Sequence, residues 1–273
     1  MTNKIILNKK TLFTLALAIS SFFSFSQDRL FTYAYQSGVL DAGQHELEVW
    51  NTFRAGRSDY FRGLDHRTEM EFGLGHNIQT SIYLNVSGET AAETIAGVKN
   101  LNSQTSFSVS NEWKYKLLDP MADAFGFALY GEYTFGTSEQ GLECKLIFDK
   151  KIDRMNYALN LVGEAVQTAN TNGVDVVYQT ERVAEVNFSM AYQIQPTFHL
   201  TFEALNGNGF NPDGTLKHSV LYSGFGISWV NNTLWVNLTL MPQVYAFKGA
   251  TDGNLNLTDN EKLQTRLAIS YSF

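Results

Sequence analysis

The stretch KLQTRLAISYSF, Lys262 to Phe273, constrains this chain more than any other. Leu263, Thr265, Leu267, Ile269, Tyr271 and Phe273 fall on one face, and Gln264, Arg266, Ala268, Ser270 and Ser272 on the other. Such period-2 alternation marks a strand with one apolar and one polar face. Chain termini usually fray into water. An apolar half-strand running to a terminal Phe therefore has to be paired and covered. A transmembrane β-barrel supplies both: the last strand pairs with the first, and its apolar face meets lipid.

The same pattern recurs upstream. Segments 46–54, 67–74, 78–87, 105–117, 125–135, 140–148, 155–166, 181–194, 198–205, 219–229 and 233–241 precede the closing one. Each is near the ~9–11 residues that a tilted membrane strand needs. In 78–87, for example, Ile78, Thr80, Ile82, Leu84 and Val86 oppose Gln79, Ser81, Tyr83, Asn85 and Ser87. The connections alternate long and short, with one exception at 136–139. Outer-membrane barrels show this rule, with short periplasmic turns, longer external loops and an even strand number. A soluble sandwich has no reason to obey it. The predicted fold is all-β: a transmembrane antiparallel up-and-down β-barrel of about 12 strands with a charged lumen.

Composition agrees. Beyond the amino terminus no apolar run is long enough for a membrane helix, and mean hydropathy is −0.17, yet aromatics reach 14%. Alternating lipid-facing and water-facing residues explain both facts. The single Cys, Cys144, allows no internal disulfide and is expected on the lipid face as a small apolar side chain. A net charge of −7 argues against general nucleic-acid binding. Lys4, Lys9 and Lys10 precede a short apolar core, Leu12 to Ile19, and then Ser24 and Ser26. Residues 1–26 are thus expected to be a secretory signal peptide. Residues 27–44 form a lead-in, either a periplasmic arm or a segment folded into the lumen, and 45–273 the barrel.

The inward faces carry the charge. Glu46, Glu48, Arg54, Arg67, Glu69, Glu71, Glu112, Lys114, Lys116, Glu132, Glu143, Lys145, Glu164, Glu185, Glu203 and Arg266 are all expected to face the interior. If the first strand pairs with the last, Arg266 approaches the Glu46/Glu48 region. Two physical readings follow. Opposite charges could pair across strands and fill a narrow lumen. Alternatively, rows of like charge could line a water-filled pore that selects small solutes.

Catalytic and metal patterns are weak. His218 and Ser219 are adjacent and point to opposite faces unless a bulge intervenes. His199 and Thr201 share a face, but Thr is a poor nucleophile for lipid hydrolysis. The loop 251–261 alternates oxygen ligands, but Leu257 stands where a calcium loop needs Gly. No catalytic residue, metal or cofactor is therefore expected, and the chain is read as a non-enzyme.

Two resemblances add to this. The closing strand resembles the C-terminal assembly signal of bacterial outer-membrane proteins, carried here by Leu267, Ile269, Tyr271 and Phe273. It implies outer-membrane lipid and the barrel-assembly machinery as partners. The stretch Leu40-Asp41-Ala42-Gly43-Gln44-His45-Glu46-Leu47-Glu48, followed by Arg67-Thr68-Glu69-Met70-Glu71-Phe72-Gly73-Leu74-Gly75, resembles the opening of outer-membrane barrels related to the phenol-degradation (MetA-type) family. That resemblance implies a porin-like role in passage of small solutes and transfers no site residue. A non-conducting barrel acting through external loops is the alternative.

Overall fold

The computed structural model describes residues 29–95, 97–171 and 173–273. The expected signal peptide lies outside the described residues. Twelve antiparallel strands form one closed barrel. They are β1 (His45–Ala55), β2 (Phe61–Gly75), β3 (Ile78–Ile95), β4 (Val98–Leu118), β5 (Gly126–Gly136), β6 (Glu139–Ile152), β7 (Met155–Thr171), β8 (Val176–Gln195), β9 (Phe198–Phe210), β10 (Leu216–Val230), β11 (Leu234–Lys248) and β12 (Leu263–Ser272). Each strand pairs with its sequence neighbours, and β1 pairs with β12 from Glu46↔Ser272 to Ala55↔Leu263. The Phe273 N–H donates to the His45 carbonyl at 2.9 Å, and their rings lie 5.9 Å apart, so the closure extends to the last residue.

The outward face is apolar all round. Phe53, Ile82, Phe107, Trp113, Phe135, Leu142, Leu161, Leu200, Ile227 and Tyr271 are all exposed. A soluble protein does not leave a continuous apolar girdle in water; a barrel in lipid must present one. Cys144 is exposed on this face. Leu267 is partly covered, while Ile269, Tyr271 and Phe273 are exposed beside it.

The connections differ from expectation. Most segments read as long loops continue the strands. Residues 88–104 are almost wholly β3 and β4, paired from Gly88↔Thr105 to Ile95↔Val98. There the backbone stays paired beyond the apolar band, where both faces are wet and the period-2 signal fades. Only 249–262 is a long irregular connection at that end. At the other end, where β1 begins and β12 finishes, the turns are mostly tight. His76 and Asn77 both have positive φ, 53° and 63°, as a two-residue type I′ hairpin requires.

The lead-in enters the lumen. Leu30, Phe31, Ala34, Tyr35 and Leu40 are buried inside the barrel. Phe31, Leu30 and Ala34 pack on Ala158, Ala191, Val230, Trp235 and Ala268. Tyr33 packs on Leu205, Val220, Tyr222 and Met241, and Tyr35 on Ala128, Tyr130 and Ile147. Small inward side chains leave the width that the extra segment occupies. The lead-in leaves the lumen over Gly73, where any Cβ would collide with the Asp41 carbonyl. Gly43 N–H donates to the Gly73 carbonyl at 2.9 Å there.

Candidate functional site

The wall holds the lead-in through its backbone. Thr32 N–H and hydroxyl both donate to Glu203 Oε1 at 2.9 Å, and Tyr33 N–H donates to Glu203 Oε2 at 2.8 Å. Thr239 Oγ1 also donates to that carboxylate, at 2.8 Å. Asn160 makes a reciprocal pair with Tyr35: its Oδ1 accepts from Tyr35 N–H at 2.6 Å, and its Nδ2 donates to the Tyr35 carbonyl at 3.0 Å. Ser37 N–H donates to Asp149, Leu40 N–H to Gln79, and Asn237 Nδ2 to the Arg29 carbonyl. A buried peptide group without a partner is costly. Here side chains of β3, β6, β7, β9 and β11 replace the missing neighbouring strand. These donors and acceptors come mainly from the turn-end half of the strands, so the plug fills that half.

Toward the loop end lies a cavity of about 690 Å³. Tyr33 and Tyr35 contribute to it from the plug, and Trp50, Arg54, Asp65, Arg67, Glu132, Glu143, Lys145, Glu164, Glu185 and Arg266 from the wall. Cations stack on its aromatics. The Arg266 guanidinium lies 4.0 Å from the Tyr33 ring centre, and Lys145 Nζ 4.2 Å from those of Tyr35 and Tyr130. Arg67 lies 4.6 Å from Trp50 and 4.3 Å from Tyr83. The charges are unevenly distributed, with Asp65 beside Arg54 and Lys145 beside Glu143 as the opposite charges on each side. Arg266, Arg54 and Arg67 stand on β12, β1 and β2; Glu143, Glu164 and Glu185 stand on β6, β7 and β8. In a barrel of twelve strands β7 lies opposite β1, so a basic wall faces an acidic one.

Each charged position expected to face inward has a definite place. Glu46 accepts from Trp235 Nε1 at 2.9 Å and Ser272 Oγ at 2.6 Å. Glu48 binds Arg29 of the plug at 2.9 Å. Arg54 is bidentate to Asp65 at 2.7 and 3.0 Å. Arg67 reaches Glu132 at 3.2 Å, and Lys145 binds Glu143 at 2.9 Å. Glu69, Glu71, Glu112 and Lys114 are buried. Lys116 instead turns to Asp119 in the β4–β5 turn, at 3.0 Å.

Two expectations need correction. Arg266 does not approach Glu46 and Glu48. It lies opposite Thr52, donating to Thr52 Oγ1 at 2.7 Å and to the Thr32 carbonyl at 3.0 Å, while Ser272 and Ser270 stand opposite the glutamates. The closing register places Arg266 four to six residues along β1 from that region. The second concerns where opposite charges pair: Arg54–Asp65 and Arg67–Glu132 do join different strands, but not as directly opposed ladder partners. Along one ladder row Glu46 faces Glu71, which faces Ser81, then Glu112, Glu132, Glu143 and Glu164 in succession. Like charges directly opposite are destabilising. The compensating cations come from the plug, from the next row, or from three strands away.

The histidine patterns do not assemble. Irregular register in β10 turns both Ser219 and Val220 inward. Ser219 Oγ accepts from Asn206, and no His218–Ser219 hydrogen bond occurs among the described residues. His199 and Thr201 are buried near the turn end without bonding each other. In the 251–261 loop, Asn256 N–H bonds Gln243 Oε1 and Leu257 N–H bonds Thr251 Oγ1, an ordinary folded loop. Sequence reasoning missed Asn160, Gln79 and Asp149 as plug holders. The inward alanines on an otherwise polar face were the available signal.

Residues 23–273 match the family described as "Family of unknown function (DUF6662)". The chain belongs to this family. No curated protein matches it by sequence. Among solved structures the DUF6662 barrel is similar to the KdgM porin, with 10% identity, TM-score 0.50, and coverage of 84% of this chain and 99% of that one. It is also similar to the translocator domain of the autotransporter NalP from Neisseria meningitidis, with 12% identity, TM-score 0.52, and coverage of 97% and 95%. At such identities the likeness is one of fold: a porin-like outer-membrane β-barrel.

Proposed function

We propose that this protein is an outer-membrane channel for a small polar solute, closed at its periplasmic end by its own lead-in. One observation carries the reading: the turn-end half of the lumen is filled by a segment held through its backbone, while the other half is a charged vestibule. Facing basic and acidic walls set up a transverse field that would orient a dipolar or zwitterionic solute. Aromatic rings at the floor offer flat surfaces on which such a solute can rest. Passage then requires the lead-in to shift. The porin-like fold and the implied role of the phenol-degradation barrels agree with transport.

A second reading is favoured by the same plug: a barrel that never conducts and acts through its external loops, the 249–262 connection between β11 and β12 foremost. Planar-bilayer recording of the refolded chain, intact and lacking residues 29–40, separates the two. The channel reading expects low or flickering conductance from the intact chain and steady, larger openings from the shortened one. A shortened barrel that folds but stays silent would favour the second.

A further inference from the structure

Beside the plug the wall holds more negative charge than its ion pairs neutralise. Glu48, Glu69 and Glu71 each present a carboxylate oxygen within 4.8 Å of the others, and all three are buried. Arg29 accounts for Glu48. No ion pair reaches Glu69, Glu71 or Glu112 among the described residues. Glu112 is 0% exposed and neither of its carboxylate oxygens receives a hydrogen bond, while Glu69 and Glu71 lie within hydrogen-bond reach of each other, and no other donor reaches Glu69. Lys114, two positions along β4, supplies one further positive charge.

Independent side chains point to a ligand. Ser81 faces inward between Glu71 and Glu112 in the ladder, is 0% exposed, and its Oγ has no hydrogen-bond partner. Tyr83, opposite Glu69, is 1% exposed with its hydroxyl likewise unpartnered. A buried hydroxyl flanked by carboxylates would ordinarily donate to one of them. A hydroxyl that does not is free to offer its lone pairs elsewhere.

We propose that Glu48, Glu69 and Glu71, with Ser81 and Glu112 beside them, bind one divalent cation of the calcium type. All the donors are oxygen, which suits a hard cation. Two oxygens on one Ca²⁺ can lie about 4.6–5.2 Å apart, twice the metal–oxygen distance, and the carboxylate spread falls inside that reach. Magnesium demands a compact octahedron, which this irregular set of strand-borne groups does not offer. The ion would link β1 and β2 beside the plug and leave Glu48 fixed for Arg29. The assignment stands whether or not the barrel conducts.

Equilibrium dialysis of the refolded full chain against Ca²⁺ in detergent tests it, with folding checked by heat-modifiable gel mobility. One Ca²⁺ per barrel is expected. Glu69→Gln/Glu71→Gln should weaken binding by about 100-fold or more, since affinity follows ligand charge. Ser81→Ala, which removes only a neutral donor, should weaken it by about 10-fold. This variant keeps the test decisive if the double variant does not fold. A folded wild-type barrel that binds no Ca²⁺ would overturn the assignment and leave protons to neutralise the cluster. Binding unchanged in these variants would overturn it equally.

Discussion

The two halves of the lumen are built on the same strands by the same alternation, yet one is filled and the other hollow. In the turn-end half, small inward side chains and amide and carboxylate groups of fixed length receive the lead-in. Ala128, Ala158, Ala191 and Ala268 make room; Glu203, Asn160, Asp149 and Gln79 bind peptide groups of the lead-in. In the loop-end half the inward side chains are long and charged, and they face one another across a cavity. The difference shows that a barrel interior is specified residue by residue. The outward face needs only to be apolar, while the inward face decides between a packed core and a wet vestibule.

Substitutions should therefore act differently in the two halves. The largest effect is expected at Glu203→Ala. It strands the N–H groups of Thr32, Tyr33 and Ala34 and three hydroxyls in a buried site, and should cost at least about 3 kcal/mol in denaturant-driven unfolding from detergent micelles. Asn160→Ala orphans one peptide N–H and one carbonyl of Tyr35 and should cost about 2 kcal/mol by the same measurement. If either substitution proves silent, the filled half is not held as described.

In the hollow half, Glu164→Gln/Glu185→Gln should change stability by no more than about 0.5 kcal/mol per site. Its effect should appear in reversal potentials recorded across a salt gradient. Removing charge from the acidic wall should lower cation preference in the barrel lacking 29–40. A large stability loss with no change in selectivity would erase the contrast.

A small, pH-dependent effect belongs to the turn outside the barrel wall. The Asp119 carboxylate accepts from Met121 N–H at 2.9 Å and from Lys116 at 3.0 Å, and these contacts hold its pKa below the usual value. A depressed carboxylate pKa contributes stability above the unfolded-state pKa, and that contribution is lost as pH falls below about 4. Asp119→Asn should thus be less stable than wild type at pH 7, by under about 1 kcal/mol at so exposed a site. The gap should close near pH 3 when midpoints of unfolding are compared.

Much of this was legible in the residues. All twelve strands, their inward and outward faces and the closing of the last on the first follow from period-2 alternation, because lipid on one side and polar interior on the other impose it. Strand lengths were underestimated at 88–104, 167–180 and 206–218, where pairing continues beyond the lipid and the alternation no longer pays any energetic return. The glutamate row from Glu46 to Glu164 was not legible, because it depends on the register of seven strands at once, and Arg266 was misplaced for the same reason. The destination of the lead-in was left open. Its hold comes from single side chains such as Glu203 and Asn160 meeting an aperiodic backbone, an arrangement without a local pattern.

The central claim is that residues 29–40 are bound inside the barrel, and amide hydrogen exchange of the folded protein in detergent tests it most directly. The amides of Thr32, Tyr33, Tyr35 and Leu40 should exchange nearly as slowly as those of the strands, and Asn160→Ala should release Tyr35 first. Exchange of these four at the rate of a free peptide, with the strands still protected, would contradict the account.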